Sequence, residues 1–236
     1  MKEKRIKRSF SLIIVVVLSL MSFSIASSAD IWADCGQKIK KIQQSEDNRV
    51  VAVVNGEKIF KKDLEIAYLI DRAAYLSQKE AFEKFSKKYK TAEAKPPVEK
   101  TKKEILNGMI EDLLLLQAAK KEGFMASDKE AKEYYEKAKK TVQDIINGKT
   151  PGDAEATRLA NDAIEKLIKG WGITREEYEK KAIEQTRNML SIQKLLDAKF
   201  KKFKAQSKNL VIGDFRKEYI NLLKKKAKIT IYEKNI

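Results

Sequence analysis

The stretch RVVAVVNGEKIFKKDLE, residues 49–65, decides how the rest of the chain is read. Val50 to Val54 form a continuous apolar run, and Asn55-Gly56 follows, a pair that tolerates the positive φ angles of a type I′ turn. The short run Lys58-Ile59-Phe60 completes the pattern of a hairpin with a tight loop. At Lys61 the spacing of apolar residues lengthens to that of a helix. A hairpin alone is marginal in water, so a third strand has to come from elsewhere in the chain.

Downstream the pattern is helical almost to the end. Leu64, Tyr68, Tyr75, Phe82, Phe85 and Tyr89 fall on one broad face of a helix over 61–89. TAEAKPPVE, residues 91–99, ends it, because each Pro disfavours helix in the residue before it. A second helix, Glu99 to Glu122, carries Ile105, Leu106, Met109, Ile110, Leu113, Leu114 and Leu116 and reads as the middle of the core. Gly123 stops it, and Ser127 with Glu130 forms a capping box for a helix to Ile146 that includes Tyr134 and Tyr135. NGKTPGDA, 147–154, is a loop; a shorter helix runs from Ala154 to Lys169 and is broken by GWG. Thr174 and Glu177 form a second capping box for a helix to about Lys204. A last helix carries Phe215, Tyr219, Leu222 and Leu223. Finally AKITIYE, 227–233, alternates apolar and polar residues and reads as a strand.

The expected fold class is therefore mainly α, with a small sheet built from strands at both ends of the mature chain. Nine Gly and three Pro among 236 residues suit long helices better than a many-stranded sheet. Lys228 to Tyr232 is the expected partner of the valine strand, which makes the chain ends meet.

Upstream, MKEKRIKR, the apolar run Phe10 to Ile25 and the small residues of ASSAD read as an export signal over 1–29. An uncleaved anchor is the alternative. Residues 30–48 read as a polar tether, with 36–48 weakly helical at most. Cys35 is the sole cysteine, so no intramolecular disulfide forms. A lone Cys after a signal suggests lipidation, but Trp32 and Asp34 stand where a lipoprotein signal wants Leu and a small residue. Otherwise Cys35 reads as a free thiol in the tether.

Charge and absences narrow the function. The chain holds 50 Lys and Arg against 34 Asp and Glu, a net charge of +16. Residues 1–29 carry five of the basic residues and one Glu, which leaves +12 on the rest. The lysines interleave with acidic residues on helix faces, the pattern of a solvated surface rather than of a nucleic-acid patch. For an exported protein the partner of such a field is an anionic membrane or cell-wall surface, or an acidic unfolded chain. The sequence contains no His. That removes Ser-His-Asp and Cys-His catalysis and most zinc sites. No Gly-rich phosphate loop is present. The carboxylate pairs Glu111-Asp112 and Glu176-Glu177 lie on Lys-rich helices, where such pairs are surface or capping groups. No catalytic residue, metal or cofactor is expected.

VAVVNGEKIFKKDLE resembles the opening of the N-terminal domain of SurA-like and PrsA-like extracytoplasmic chaperones. The resemblance continues through ILNGMIEDLLLLQAAKKEGFMASDKEAKEYYEK, GWGITREEYEKKAIEQTRNMLSIQKLL and LLKKKAKITIYE, in the family's order, and covers most of 49–236. It implies a mainly helical chaperone lobe closed by strands from both ends of the domain, the fold also read from the residues. There are two departures. Phe60 and Lys61 stand where the family often has Thr or Ser before the first helix. The parvulin-type prolyl isomerase domain that usually precedes the last helix is missing, and only Ala205 to Asp214 stand in its place.

The resemblance implies an ATP-independent holdase outside the cytoplasm that binds unfolded or partly folded exported proteins, without isomerase activity. The residues expected to line its peptide groove are Tyr68, Tyr75, Phe82, Phe85, Met109, Tyr134 and Tyr135. Two alternatives are a membrane-tethered assembly protein that binds one envelope partner, and a prolyl isomerase with an unrecognised site.

Overall fold

The computed structural model describes residues 29–89, 95–204 and 212–236, except for the side chains of 29, 85, 87–89 and 204. The leader expected over 1–29 lies outside them except for Ala29. Among the described residues no helix is long and apolar enough to cross a membrane.

The valine stretch is the centre of a three-stranded antiparallel sheet. β1 (Val50–Val54) lies between β2 (Glu57–Phe60) and β3 (Ile229–Ile231). Asn55 and Gly56 have φ of 50° and 87°, both positive as the tight turn requires. β3 pairs Ile231 with Ala52, Thr230 with Val53 and Ile229 with Val54. The chain ends thus meet as the sequence implies. A bulge between Val50 and Ala52 shifts the β1–β2 register, and Val51 and Ala52 are both buried.

Asn55 does more than turn the chain. Its backbone N–H donates to the Lys228 carbonyl at 2.9 Å, and its side-chain oxygen accepts from the Lys228 N–H at 2.9 Å. Its amide nitrogen donates to Gln117 at 2.8 Å, and Gln117 in turn donates to the Val54 carbonyl at 3.0 Å. One turn residue therefore ties β3 and a core helix to the hairpin. The Tyr232 N–H, donating to the Val51 carbonyl at 2.9 Å, and the Asn235 side chain, donating to the Val50 carbonyl at 2.7 Å, complete the closure.

Seven helices are described. They are α1 (Ala29–Gln44), α2 (Lys61–Tyr89), α3 (Lys102–Lys121), α4 (Asp128–Ile146), α5 (Ala154–Trp171), α6 (Arg175–Lys204) and α7 (Ile212–Lys226). Both expected capping boxes form at Ser127–Glu130 and Thr174–Glu177. A third, Thr101–Glu104, starts α3 three residues after the expected Glu99, since both its hydrogen bonds need Thr101 outside the helix.

Three clusters make the core. Val51, Val54, Ile59 and Leu64 pack with Ile105, Leu106, Met109 and Leu113 beneath the sheet. Full burial of each such side chain contributes about 1.5–3 kcal/mol. A second cluster joins α1 and the middle of α2 to α4, α5 and α6. The third joins α3, α6 and α7.

The tether expected over 30–48 is largely helix α1. Trp32, Cys35 and Ile39, spaced for one helical face, are buried against Leu167, Ile168 and Trp171 of α5. Two glycines allow the contact. A Cβ on Gly36 would stand 2.3 Å from the Leu167 carbonyl oxygen, and one on Gly170 would stand 2.3 Å from the Ala33 carbonyl oxygen. Polar composition hides this stripe because only one narrow face is apolar and its partner lies far along the chain.

At the start of α2, Asp63 accepts a hydrogen bond from the Phe60 N–H, the bond that a capping box takes from its third residue. Burial outweighs that bond and pushes its carboxyl up to about 6. The folded chain thus holds this proton to higher pH than the unfolded chain, so the contribution of Asp63 to stability declines as pH rises through that range.

Two outcomes follow for thermal melts. Gly36→Ala lowers the melting temperature by more than about 5 °C through overpacking, whereas Gly108→Ala, with open space around it, raises it by about 2 °C. Asp63→Asn raises the melting temperature at pH 7 and leaves it nearly unchanged at pH 3.5; a gain confined to acid pH contradicts the assignment.

Candidate functional site

The residues expected to line a groove do not converge on one surface. Met109 is core beneath the sheet, and Tyr68 packs half-buried against the same cluster with the Lys102 ammonium 5.5 Å from its ring centre. Tyr135 belongs to the second cluster, where burial pushes its hydroxyl up to about 12. Tyr75 and Phe82 are half-buried on α2, which buries no described side chain beyond Ser77. Tyr134 points away from the core and is 44% exposed. The side chain of Phe85 lies outside the described residues.

Cys35 is buried on α1, and its thiol donates to the Leu69 carbonyl at 3.5 Å. Burial pushes the thiol up to about 12, with Asp34 adding to the effect. It is therefore a neutral packing group in the folded chain.

A denser apolar surface lies at the junction of α3, α6 and α7. The buried ring of Phe215 has centroids 5.6 Å from Phe200, 5.5 Å from Phe203 and 5.8 Å from Tyr219, on which it stacks. Phe124, Phe200, Phe203 and Tyr219 are each only partly buried, over a floor that includes Leu115, Ala119, Leu195 and Ile220. Beyond them Ile212 opens α7 with 49% of its surface exposed. The pairs Phe200/Phe203 and Phe215/Tyr219, three and four residues apart on helices either side of a short connection, are the sequence signal for this surface.

A charged rim frames the rings. Tyr219 donates to Glu122 at 3.3 Å, and Lys199 pairs with the same carboxylate. Burial, reinforced by Glu122, pushes the Tyr219 hydroxyl up to about 12. Arg216 reaches Asp112 at 3.1 Å and Lys224 reaches Glu111 at 2.6 Å. Burial raises the Asp112 carboxyl despite Arg216. The carboxylate pair Glu111-Asp112 thus fastens α7 to α3. Among the described residues no group of three or more His, Cys, Asp or Glu is placed to hold a metal ion. What the patch offers a ligand is apolar area and ring faces inside a polar border.

The architecture is that of a mainly helical lobe closed by strands from both ends of its sequence. The profile of the SurA-like N-terminal domain matches residues 3–150, and the chain belongs to that family. Foldase protein PrsA of Clostridium botulinum strain Kyoto / Type A2 is 24% identical over 173 residues, which cover 72% of this chain and 46% of that protein. The PrsA of strain Hall of the same species gives the same figures. The chain thus spans about half the length of the curated relatives it matches. No solved structure matches it.

Phe215 is the keystone of the patch, and Phe215→Ala costs about 3–5 kcal/mol in chemical denaturation. Tyr134→Ser, outside the core, changes stability by less than about 0.5 kcal/mol. Equal costs at the two sites contradict the packing described.

Proposed function

We propose that the lobe is an ATP-independent holdase acting outside the cytoplasmic membrane, where it binds apolar segments of unfolded exported proteins. The observation that carries this reading is the aromatic patch: Phe124, Phe200, Phe203 and Tyr219 stand partly open around the buried Phe215. An unfolded segment that covers these rings removes apolar area from water on both partners, the same driving force that otherwise leads to aggregation. Ring faces accept varied side chains without directional bonds, which suits a binder of many sequences. Similarity to PrsA, a protein named a foldase, supports the reading, as does the resemblance of the chain to extracytoplasmic chaperones. The export leader read over 1–29 supports the location.

We propose further that binding proceeds without prolyl isomerisation. The chain has no His, and only residues 205–211 separate α6 from α7, where the family resemblance places an isomerase domain. Tyr75 and Phe82 on the far half of α2 form a second, sparser contact surface for the same segments.

Light scattering of an aggregating reduced client tests the reading. The full chain suppresses aggregation at a few-fold molar excess, Phe200→Ser/Phe203→Ser loses most of that suppression while keeping its helical circular dichroism, and Tyr134→Ser keeps it. The same preparation gives no turnover of a proline peptide. Failure of the unaltered chain to suppress aggregation, or full suppression by the double variant, contradicts the holdase reading.

A further inference from the structure

A cleft of about 690 Å³ runs between α1 and α5, remote in sequence from the aromatic patch. Lys40 and Lys41 line it from α1, and Lys166 and Lys169 from α5; Asp30 is its sole carboxylate. None of the four lysines has an ion pair among the described residues. Two neighbouring carboxylates are engaged elsewhere, Asp34 by Lys38 at 2.5 Å and Glu165 by Arg175 at 2.7 Å. Lysines elsewhere are of both kinds: Lys100, Lys139 and Lys194 face Asp71, Glu179 and Glu130, whereas Lys120, Lys121, Lys225 and Lys226 have no ion pair among the described residues. What the cleft adds is the convergence of four lysines from two helices.

The cleft is held in shape from below. The backbone contact of Gly36 with Gly170, and the burial of Trp32, Ile39, Leu167 and Trp171 under it, fix the two helices against each other. The Lys40 side chain lies over Gly172, where an added Cβ would stand 3.2 Å from its Nζ. Four ammonium groups are therefore presented from a rigid pair of helices with one carboxylate to offset them. Their combined field attracts multivalent anions.

We infer that this cleft docks the lobe on a bilayer surface by binding the phosphodiester headgroups of anionic lipids. One feature, together with the charge of the cleft, selects a lipid surface as the occupant. Asp30 lies on the cleft, so the basic and apolar segment 1–28 joins the lobe at the cleft's own border. A leader of that pattern inserted in or passing a bilayer brings the start of α1 to the headgroups. Lysines near a surface at negative potential then add attraction to each other's, and that attraction fades with salt.

The test is partition of the full chain onto phosphatidylcholine vesicles with and without phosphatidylglycerol. The leader contributes equally in every variant, so the ratio of anionic to neutral partition isolates the cleft. Lys40→Gln/Lys41→Gln/Lys166→Gln/Lys169→Gln lowers that ratio roughly tenfold or more. The Arg replacements at the same four positions retain the ratio. An equal charge change at exposed lysines of α3 and α7, Lys120→Gln/Lys121→Gln/Lys225→Gln/Lys226→Gln, alters it by less than about twofold. Equal losses in both Gln sets reduce the effect to net charge and overturn the inference, as does an unchanged ratio in the cleft variant. Displacement of the chain from vesicles by soluble polyglycerol phosphate at matched phosphate concentration overturns it in favour of a wall polymer.

Discussion

Two hydrogen bonds between Asn55 and Lys228, each of 2.9 Å, hold the lobe closed. They join a turn near the start of the described chain to a strand near its end. The strand so captured supplies the second neighbour that β1 needs, and β1 in turn covers Leu106, Met109 and Leu113 of α3. Without β3 the hairpin is a two-stranded ribbon with an unpaired edge on its central strand. The constraint fixes more than the sheet, because α7 enters β3 directly and is fastened to α3 by Arg216 and Lys224. The aromatic patch sits on those same helices. The geometry of the aromatic patch thus depends on chain closure.

Much of this was legible in the residues. Asn-Gly after four valines in five residues specified the turn, and the alternation of Ile229 and Ile231 identified the third strand. Helix boundaries followed wherever a capping box or a glycine marked them, as at Ser127 and Gly123. One element was not legible. α1 is polar on most of its circumference, and its apolar stripe of Trp32, Cys35 and Ile39 makes sense only against α5, whose Gly170 allows the close approach. Composition averages over such a stripe; the spacing of three and four residues preserves it.

The aromatic patch was harder to read for a related reason. Aromatic residues were visible on every long helix, but periodicity alone does not separate a ring that closes the core from one that borders solvent. Met109 and Tyr135 close it, while Phe200 and Phe203 remain partly open. What separates them is the packing partner: α3 lies under the sheet, whereas the end of α6 is covered on one side by the short helix α7. Absence of His, by contrast, was decisive from the sequence, and it removed His-dependent catalysis before any geometry was known. Lysines likewise looked uniform along the chain, and only the fold brings Lys40, Lys41, Lys166 and Lys169 together at the α1–α5 cleft.

Native-state amide hydrogen exchange across the sheet tests the central claim that closure by β3 is integral to the lobe. The N–H groups of Asn55 and Tyr232, which bond to Lys228 and to Val51, are predicted to exchange only through global unfolding, with the same protection as the buried core of α3. Fast exchange of both, with α3 still protected, would show that β3 frays independently and would contradict the account.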